Sequence, residues 1–290
     1  MNKAAFPLPS RPRQDRFVAR QRDYFRGADC AKFRWQTTGP FFAATERALV
    51  APAGGGGRLL EVGSGEGGNL FHLGPRHDLT VGVDLSLSKA ALATTSIPWA
   101  RFVCADALRL PFPDGLFDRV LCRDVLHHLE TDRRRDAVAE LYRVCRPDGE
   151  VVVIEPNPRN PLMAALALLI PAERGLLHST PARVAGEVRG VGSRVTVDMA
   201  QPLPVARALL HYRFGAPALG GWRPVVRLLD TLDGALRRVL PRPFWAYVVV
   251  RGLVRAPCQK DVPASEGHRL HPADSIRRGQ GEGSSVRGAS

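Results

Sequence analysis

At 290 residues, 44% of them hydrophobic, the chain can bury one sizeable core, with or without a small appended lobe. Met1 to Arg20 holds no apolar segment of the kind a secretory leader carries, and the longest apolar run, Leu162 to Ile170, falls far short of a spanning helix. The net charge of +13 divides unevenly: residues 58–155 carry 12 basic and 15 acidic residues, a net of −3, while residues 156–255 carry 14 and 5, a net of +9. A basic surface of that kind suits an anionic substrate, lipid headgroups or nucleic acid, unless the arginines are simply scattered and solvated. The five cysteines show no C-x-x-C spacing, which argues against a zinc site and fits a reducing cytoplasm.

In chain order, residues 1–15 are rich in Pro, Arg and Ser and read as mobile, and Arg16 to Phe25 reads as a helix. Phe33, Trp35, Phe41 and Phe42 concentrate aromatics ahead of a helical stretch, Thr45 to Val50, and a glycine joint, Gly54 to Gly57. Leu59-Leu60-Glu61-Val62 is a short apolar strand that runs into Gly63-Ser64-Gly65-Glu66-Gly67-Gly68, a helix-like stretch, and a second strand ending in Asp84. Strand, glycine turn, helix, strand, acid is the first half of a nucleotide-binding unit. Glycines allow the sharp turn and let a ligand approach the backbone, and the helix start offers N–H groups to an anion. Gly63, Gly65 and Gly68 fit dinucleotide spacing, whereas Gly63, Gly65 and Gly67 fit methyltransferase spacing. Glu61 tips the choice, because a carboxylate two residues before the first glycine suits a cationic amino-acid ligand better than a pyrophosphate.

Glu61-Val62-Gly63-Ser64-Gly65-Glu66-Gly67 resembles motif I of the class I S-adenosylmethionine (SAM)-dependent methyltransferases, and Val81-Gly82-Val83-Asp84-Leu85-Ser86 resembles the segment after it. The resemblance implies SAM as cofactor, with Glu61, Gly63, Ser64, Gly65, Gly67, Asp84 and Leu85 around it. Ser86 is an N-cap for a short helix, Ser88 to Ala93. Strand three, Arg101 to Cys104, leads to Asp106 and Ala107, where the family places the acid that accepts from adenine. Leu110 to Asp118 resembles a signature of the ubiquinone and menaquinone methyltransferases. Strand four, Arg119 to Cys122, ends at Arg123-Asp124, where the family's backbone lies against the cofactor.

His127 and His128 follow. One imidazole could serve as a general base, since its unperturbed pKa lies near neutrality. Equally, His128 stands four residues after Asp124 and could hydrogen-bond back to it. As adjacent residues of an α-helix they point about 100° apart and cannot share a metal, so no metal is expected. Asp136 to Val144 is an amphipathic helix, Arg146 to Gly149 a turn, and Glu150 to Glu155 a central strand. Leu162 to Ile170 and Pro181 to Arg189 read as helices, Arg194 to Met199 as strand six, Val225 to Leu240 as an amphipathic helix, and Phe244 to Val250 as the last strand. After Pro257 the tail lacks large apolar residues and reads as disordered.

The expected fold is a doubly wound, Rossmann-like α/β domain with a seven-stranded, mostly parallel sheet, an antiparallel last strand and helical cover segments. Residues 1–57 would form the cover, 58–255 the SAM-binding domain and 256–290 the tail. The expected reaction moves the sulfonium methyl to a small-molecule, apolar or lipid-like acceptor in the cytoplasm. The Arg-lined helix Val225 to Leu240 either packs on the sheet, the commoner outcome, or lies in peripheral contact with an anionic membrane face. RNA or protein methylation is the alternative, though Arg123-Asp124-Val125-Leu126 stands where an Asn-Pro-Pro-Tyr-like motif would be. SAM binding without turnover and a dinucleotide oxidoreductase are the other readings. The oligomeric state is not legible.

Overall fold

The computed structural model describes residues 27–202, 209–212 and 215–255. The sequence-based expectations for residues 1–25 and for the tail after Pro257 lie outside them.

A seven-stranded sheet in the order β3-β2-β1-β4-β5-β7-β6 forms the centre. Its strands are β1 (Arg58–Val62), β2 (Leu79–Asp84), β3 (Arg101–Cys104), β4 (Phe117–Arg123), β5 (Cys145–Pro156), β6 (Ser193–Ala200) and β7 (Tyr247–Leu253). The first five run parallel, and β7 enters antiparallel between β5 and β6. Val151 to Ile154 are fully buried because helices cover both faces of the sheet, and a β-branched run suits a strand of that kind.

Strand order reverses at β1, where β2 leads one way and β4 the other. The carboxyl ends of β1, β2 and β4 therefore open a crevice, the usual ligand position in an open α/β sheet. Around the sheet stand α1 (Cys30–Thr38), α2 (Pro40–Val50), α3 (Gly68–Leu73), α4 (Leu87–Ser96), α5 (Arg134–Val144), α6 (Pro161–Leu169), α7 (Pro181–Arg189) and α8 (Arg223–Val239). Capping sets several starts: Asp29 accepts from Ala31 and Lys32 N–H, Ser86 from Lys89 N–H, and Asn160 from Leu162 and Met163 N–H.

Three boundaries differ from expectation. The Arg146–Gly149 turn is absorbed into β5, with Asp148 at φ 59° and a register shift opposite Phe117 and Arg119. The last strand begins at Tyr247, because Arg242–Phe244, with Pro243 inside it, forms a 3₁₀ turn. Leu126–His128 is also a 3₁₀ turn rather than an α-helix.

Candidate functional site

A cavity of about 850 Å³ lies over the carboxyl ends of the parallel strands. Gly63, Ser64 and Gly65 line one end with Asp84, Leu85, Asp106 and Ala107, so the structure gathers residues from three strand ends. Gly63 and Gly65 sit at φ 77° and 53°, backbone that side chains with a Cβ rarely adopt. A Cβ on Gly63 would run into Val125, whereas on Gly65 the nearest atom would be Lys32 Nζ at 3.9 Å. The loop is thus shaped by its interior at Gly63 and left open to the cavity at Gly65. Asp84 accepts from Gly65 N–H at 2.8 Å and from Ser86 N–H at 2.9 Å, which pins the loop to the end of β2. Asp106 accepts from Leu108 N–H at 2.9 Å.

Glu61 and Gly67 are set back from the cavity wall. Glu61 is wholly buried; one oxygen accepts from Asn69, and Oε2 has no hydrogen-bond partner. Asn69 thus stands between this carboxylate and the cavity, since it lines the wall itself. Burial pushes the Glu61 carboxyl up to about 8, with Asn69 and Arg123 acting the other way. The free protein therefore holds Glu61 largely protonated at neutral pH.

Arg123 is equally buried. Its guanidinium pairs with Glu46 at 2.8 Å, donates to Asn69 Oδ1 at 2.7 Å and lies over the Tyr247 ring. The side chain is committed to this network, so toward a ligand the residue offers its backbone. Lys32 on α1 pairs with Glu66 of the glycine loop at 2.8 Å, and the Gln36 carbonyl meets His72 Nε2 at 2.8 Å. These contacts dock the aromatic cover onto the loop. Phe33 meets Phe71 edge-on, and Trp35 stacks on Phe42.

The far end of the cavity holds His127 and His128. His127 Nδ1 meets Glu155 at 2.7 Å and Nε2 meets Glu173 at 3.2 Å. Glu155, at the end of β5, also accepts from the Val125 and Leu126 N–H groups. Burial opposes a charge on His127, but the two carboxylates outweigh it and raise its pKa to about 10. His128 is driven the other way, to about 3, by burial and by the charge on His127. Neither imidazole keeps the near-neutral pKa on which the general-base expectation rested.

The geometric argument against a shared metal needs correction too. In the 3₁₀ turn the two rings lie 3.9 Å apart, and ligand atoms of His127, His128 and Glu173 fall within 4.8 Å of one another. The protonated His127 faces Glu155 through Nδ1 and Glu173 through Nε2, so both of its ring nitrogens are already taken.

The remaining wall is mixed, with Lys89, Glu130, Arg133, His211 and Tyr212 beside an apolar section. Leu162, Leu166, Leu169 and Ile170 face the cavity from α6 and its end, with Leu176 beyond them. Asn69, Lys32, Glu155 and Glu173 were missed in the sequence. No spacing marks them, although Glu155 at the end of a central strand is a position worth testing in any α/β sheet.

Residues 60–153 match the model of the methyltransferase domain family. Curated relatives include a demethylmenaquinone methyltransferase of Roseiflexus sp., 38% identical over 127 residues (42% of this chain, 52% of the relative). A 27-O-demethylrifamycin SV methyltransferase of Amycolatopsis mediterranei is 29% identical over 156 residues (51% of this chain, 52% of the relative). The chain spans about half the length of the curated relatives it matches. Among solved structures, phosphoethanolamine N-methyltransferase 2 of Haemonchus contortus, in complex with SAM, aligns with a TM-score of 0.58 at 18% identity. That alignment covers 87% of this chain and 62% of that one. The N-methyltransferase NodS of Bradyrhizobium japonicum, in complex with S-adenosyl-L-homocysteine, gives a TM-score of 0.52 at 12% identity, over 82% and 98% of the two chains. Residues 60–153 thus match a methyltransferase-domain model, and the chain shares the fold of these two solved methyltransferases.

Proposed function

We propose that the protein transfers the methyl group of SAM to a small apolar acceptor held against α6. The observation that carries this reading is one cavity lined both by the glycine loop and by the leucines of α6. The residues present fit the cofactor: Gly65 leaves its Cβ space open, and Glu61 Oε2, one layer behind Asn69, is buried with no hydrogen-bond partner. The Gly63–Gly65 backbone and Asp84 would hold it, and by family resemblance Asp106 would meet its adenine.

When bound, the cofactor supplies an already activated sulfonium methyl. The chain then has to orient the acceptor, which contributes up to roughly 7–11 kcal/mol, and keep water out. The α6 leucines do both for an apolar molecule. His127, clamped between Glu155 and Glu173, acts as a positioning residue that fixes the turn carrying His128. His128 stays neutral and reaches the cavity wall. The demethylmenaquinone and demethylrifamycin methyltransferases among the relatives support an acceptor of this apolar kind.

Calorimetric titration should show SAM and S-adenosyl-L-homocysteine binding and NAD not binding. Labelled SAM incubated with cell extract should leave label in the organic-solvent fraction. NAD binding as tight as SAM, or label confined to RNA or protein, would reject the reading.

Glu61 gives a pH-dependent check. Its folded pKa of about 8 lies above the unfolded value of 4.5, so the folded state binds more protons between those limits. Its contribution to stability is full below pH 4.5 and is lost as pH rises through 8, at up to about 1.4 kcal/mol per pH unit. Glu61→Gln should flatten that part of the urea-denaturation profile. Binding of a cationic ligand should favour the ionised form and release protons near pH 7 in the parent but not in the variant. Equal proton release in both would place the coupling elsewhere.

A further inference from the structure

Helix α8 carries more apolar surface than the fold covers. Leu228, Leu232, Ala235 and Val239 recur at i, i+4, i+7 and i+11 and form one stripe along it. Leu228 is 58% exposed, Leu232 44% and Val239 74%. The neighbouring stripe packs: Val225, Val226 and Leu229 meet Phe41, Leu210 and Leu219. The helix is therefore docked by one edge of a broad apolar face, and the other edge meets solvent. Trp222, at its N-cap, is 60% exposed.

The charges are arranged around that stripe. Arg227 and Arg238 border it on one side, both exposed, while Arg223 and Asp230 fall together on the far side and Asp233 next to the packed edge. Asp233 pairs with Arg237 at 2.8 Å, and Arg237 also lies over Trp245, so Arg237 belongs to the packed side. No helix among the described residues is long and apolar enough to cross a membrane. A helix with an apolar stripe beside two arginines suits the plane of a bilayer interface instead.

We propose that α8 seats this face on an anionic lipid surface, with the stripe at the acyl boundary and Arg227 and Arg238 at the phosphates. Charge selects this occupant over a second copy of the chain, because another copy brings the same net +13 and the same two arginines. Location gives the seat a purpose. Leu210, under Leu229, precedes His211 and Tyr212, which line the cavity and lie against Trp35 at ring separations of 4.9 and 5.4 Å. The lipid-facing helix thus stands one layer outside the cavity wall, where an apolar acceptor could enter from the bilayer. That purpose rests on the proposed methyl transfer; the seat itself does not.

Flotation with phosphatidylcholine vesicles, with and without phosphatidylglycerol, tests the seat at low and high salt. The parent should float only with the anionic vesicles and lose binding as salt rises. Arg227→Glu/Arg238→Glu should bind at least roughly thirtyfold more weakly. Leu228→Asp/Leu232→Asp/Val239→Asp should also lose binding with an unchanged Tm, since these side chains already meet solvent. SAM titration of both variants should match the parent, so loss of SAM binding in all three proteins would count against the methyltransferase reading alone. Binding that ignores lipid charge and both variants would overturn the seat. So would a dimer in light scattering that Leu228→Asp/Leu232→Asp/Val239→Asp dissociates.

Discussion

His127→Ala is expected to lower folding stability by about 3–5 kcal/mol at neutral pH, the usual cost of removing one partner from a buried ion pair. The side chain is 2% exposed and that of Glu155 is fully buried, so the variant strands a carboxylate with no water to solvate it. The effect should depend on pH with a definite sign. His127 has a folded pKa of about 10 against about 6.5 unfolded, so its contribution is complete below 6.5 and is lost as pH climbs through 10. Urea denaturation of parent and variant should give curves far apart at pH 6 and converging above pH 9. A difference below about 1 kcal/mol at neutral pH would mean that His127 is neutral in the fold. His127→Leu/Glu155→Leu should recover much of the loss, because it removes both charges together.

Gly65→Val should abolish SAM binding, with affinity falling at least roughly a hundredfold, while the protein stays folded. The backbone at Gly65 is left-handed, which costs a Cβ-bearing residue about 1–2 kcal/mol, yet only Lys32 Nζ comes within 4 Å of the added Cβ. The branched side chain therefore enters the cavity rather than the core. Gly63→Ala makes the contrast, since its Cβ collides with Val125 and the loss should appear in Tm first. If Gly65→Val binds SAM as the parent does, the ligand does not approach this loop.

The parallel half of the fold was legible because its signals are local. Leu59 to Val62 and Glu150 to Glu155 are too apolar for anything but central strands, and the glycine loop between β1 and α3 needs left-handed backbone that only its spacing announces. Ser86 as an N-cap was readable for the same reason, one hydroxyl three residues before the N–H it accepts. Phe244 was misplaced as strand because apolar character continues through it, while Pro243 turns the chain.

The site was legible on its glycine side and opaque on its histidine side. Asp84 ends β2 and Asp106 stands two residues past β3, so position alone marks them. The partners of His127 lie 28 and 46 residues away, and no pattern in the chain pairs them. The expected base rested on a free imidazole, and two distant carboxylates changed that chemistry. Glu61 shows the same limit: the residue was singled out, but its depth behind Asn69 is a property of packing.

The pairing of Glu46 with Arg123 has a consequence for how the molecule comes apart. It ties α2 to the end of β4 by an ion pair with side chains 1% and 2% exposed, and Asn69 extends the tie to Glu61 beneath the glycine loop. Peeling α2 from the sheet would take Glu46 from the buried guanidinium, leaving it Asn69 and Asp124, at a cost of about 3–5 kcal/mol. Helix α2 and the parallel strands should then exchange their amide hydrogens as one cooperative unit, with α2 as slow as β1. A lid that opens for ligand entry has to be sought outside that unit, in α1, whose Lys32 is 31% exposed; its partner Glu66, 2% exposed, must reach water as α1 lifts.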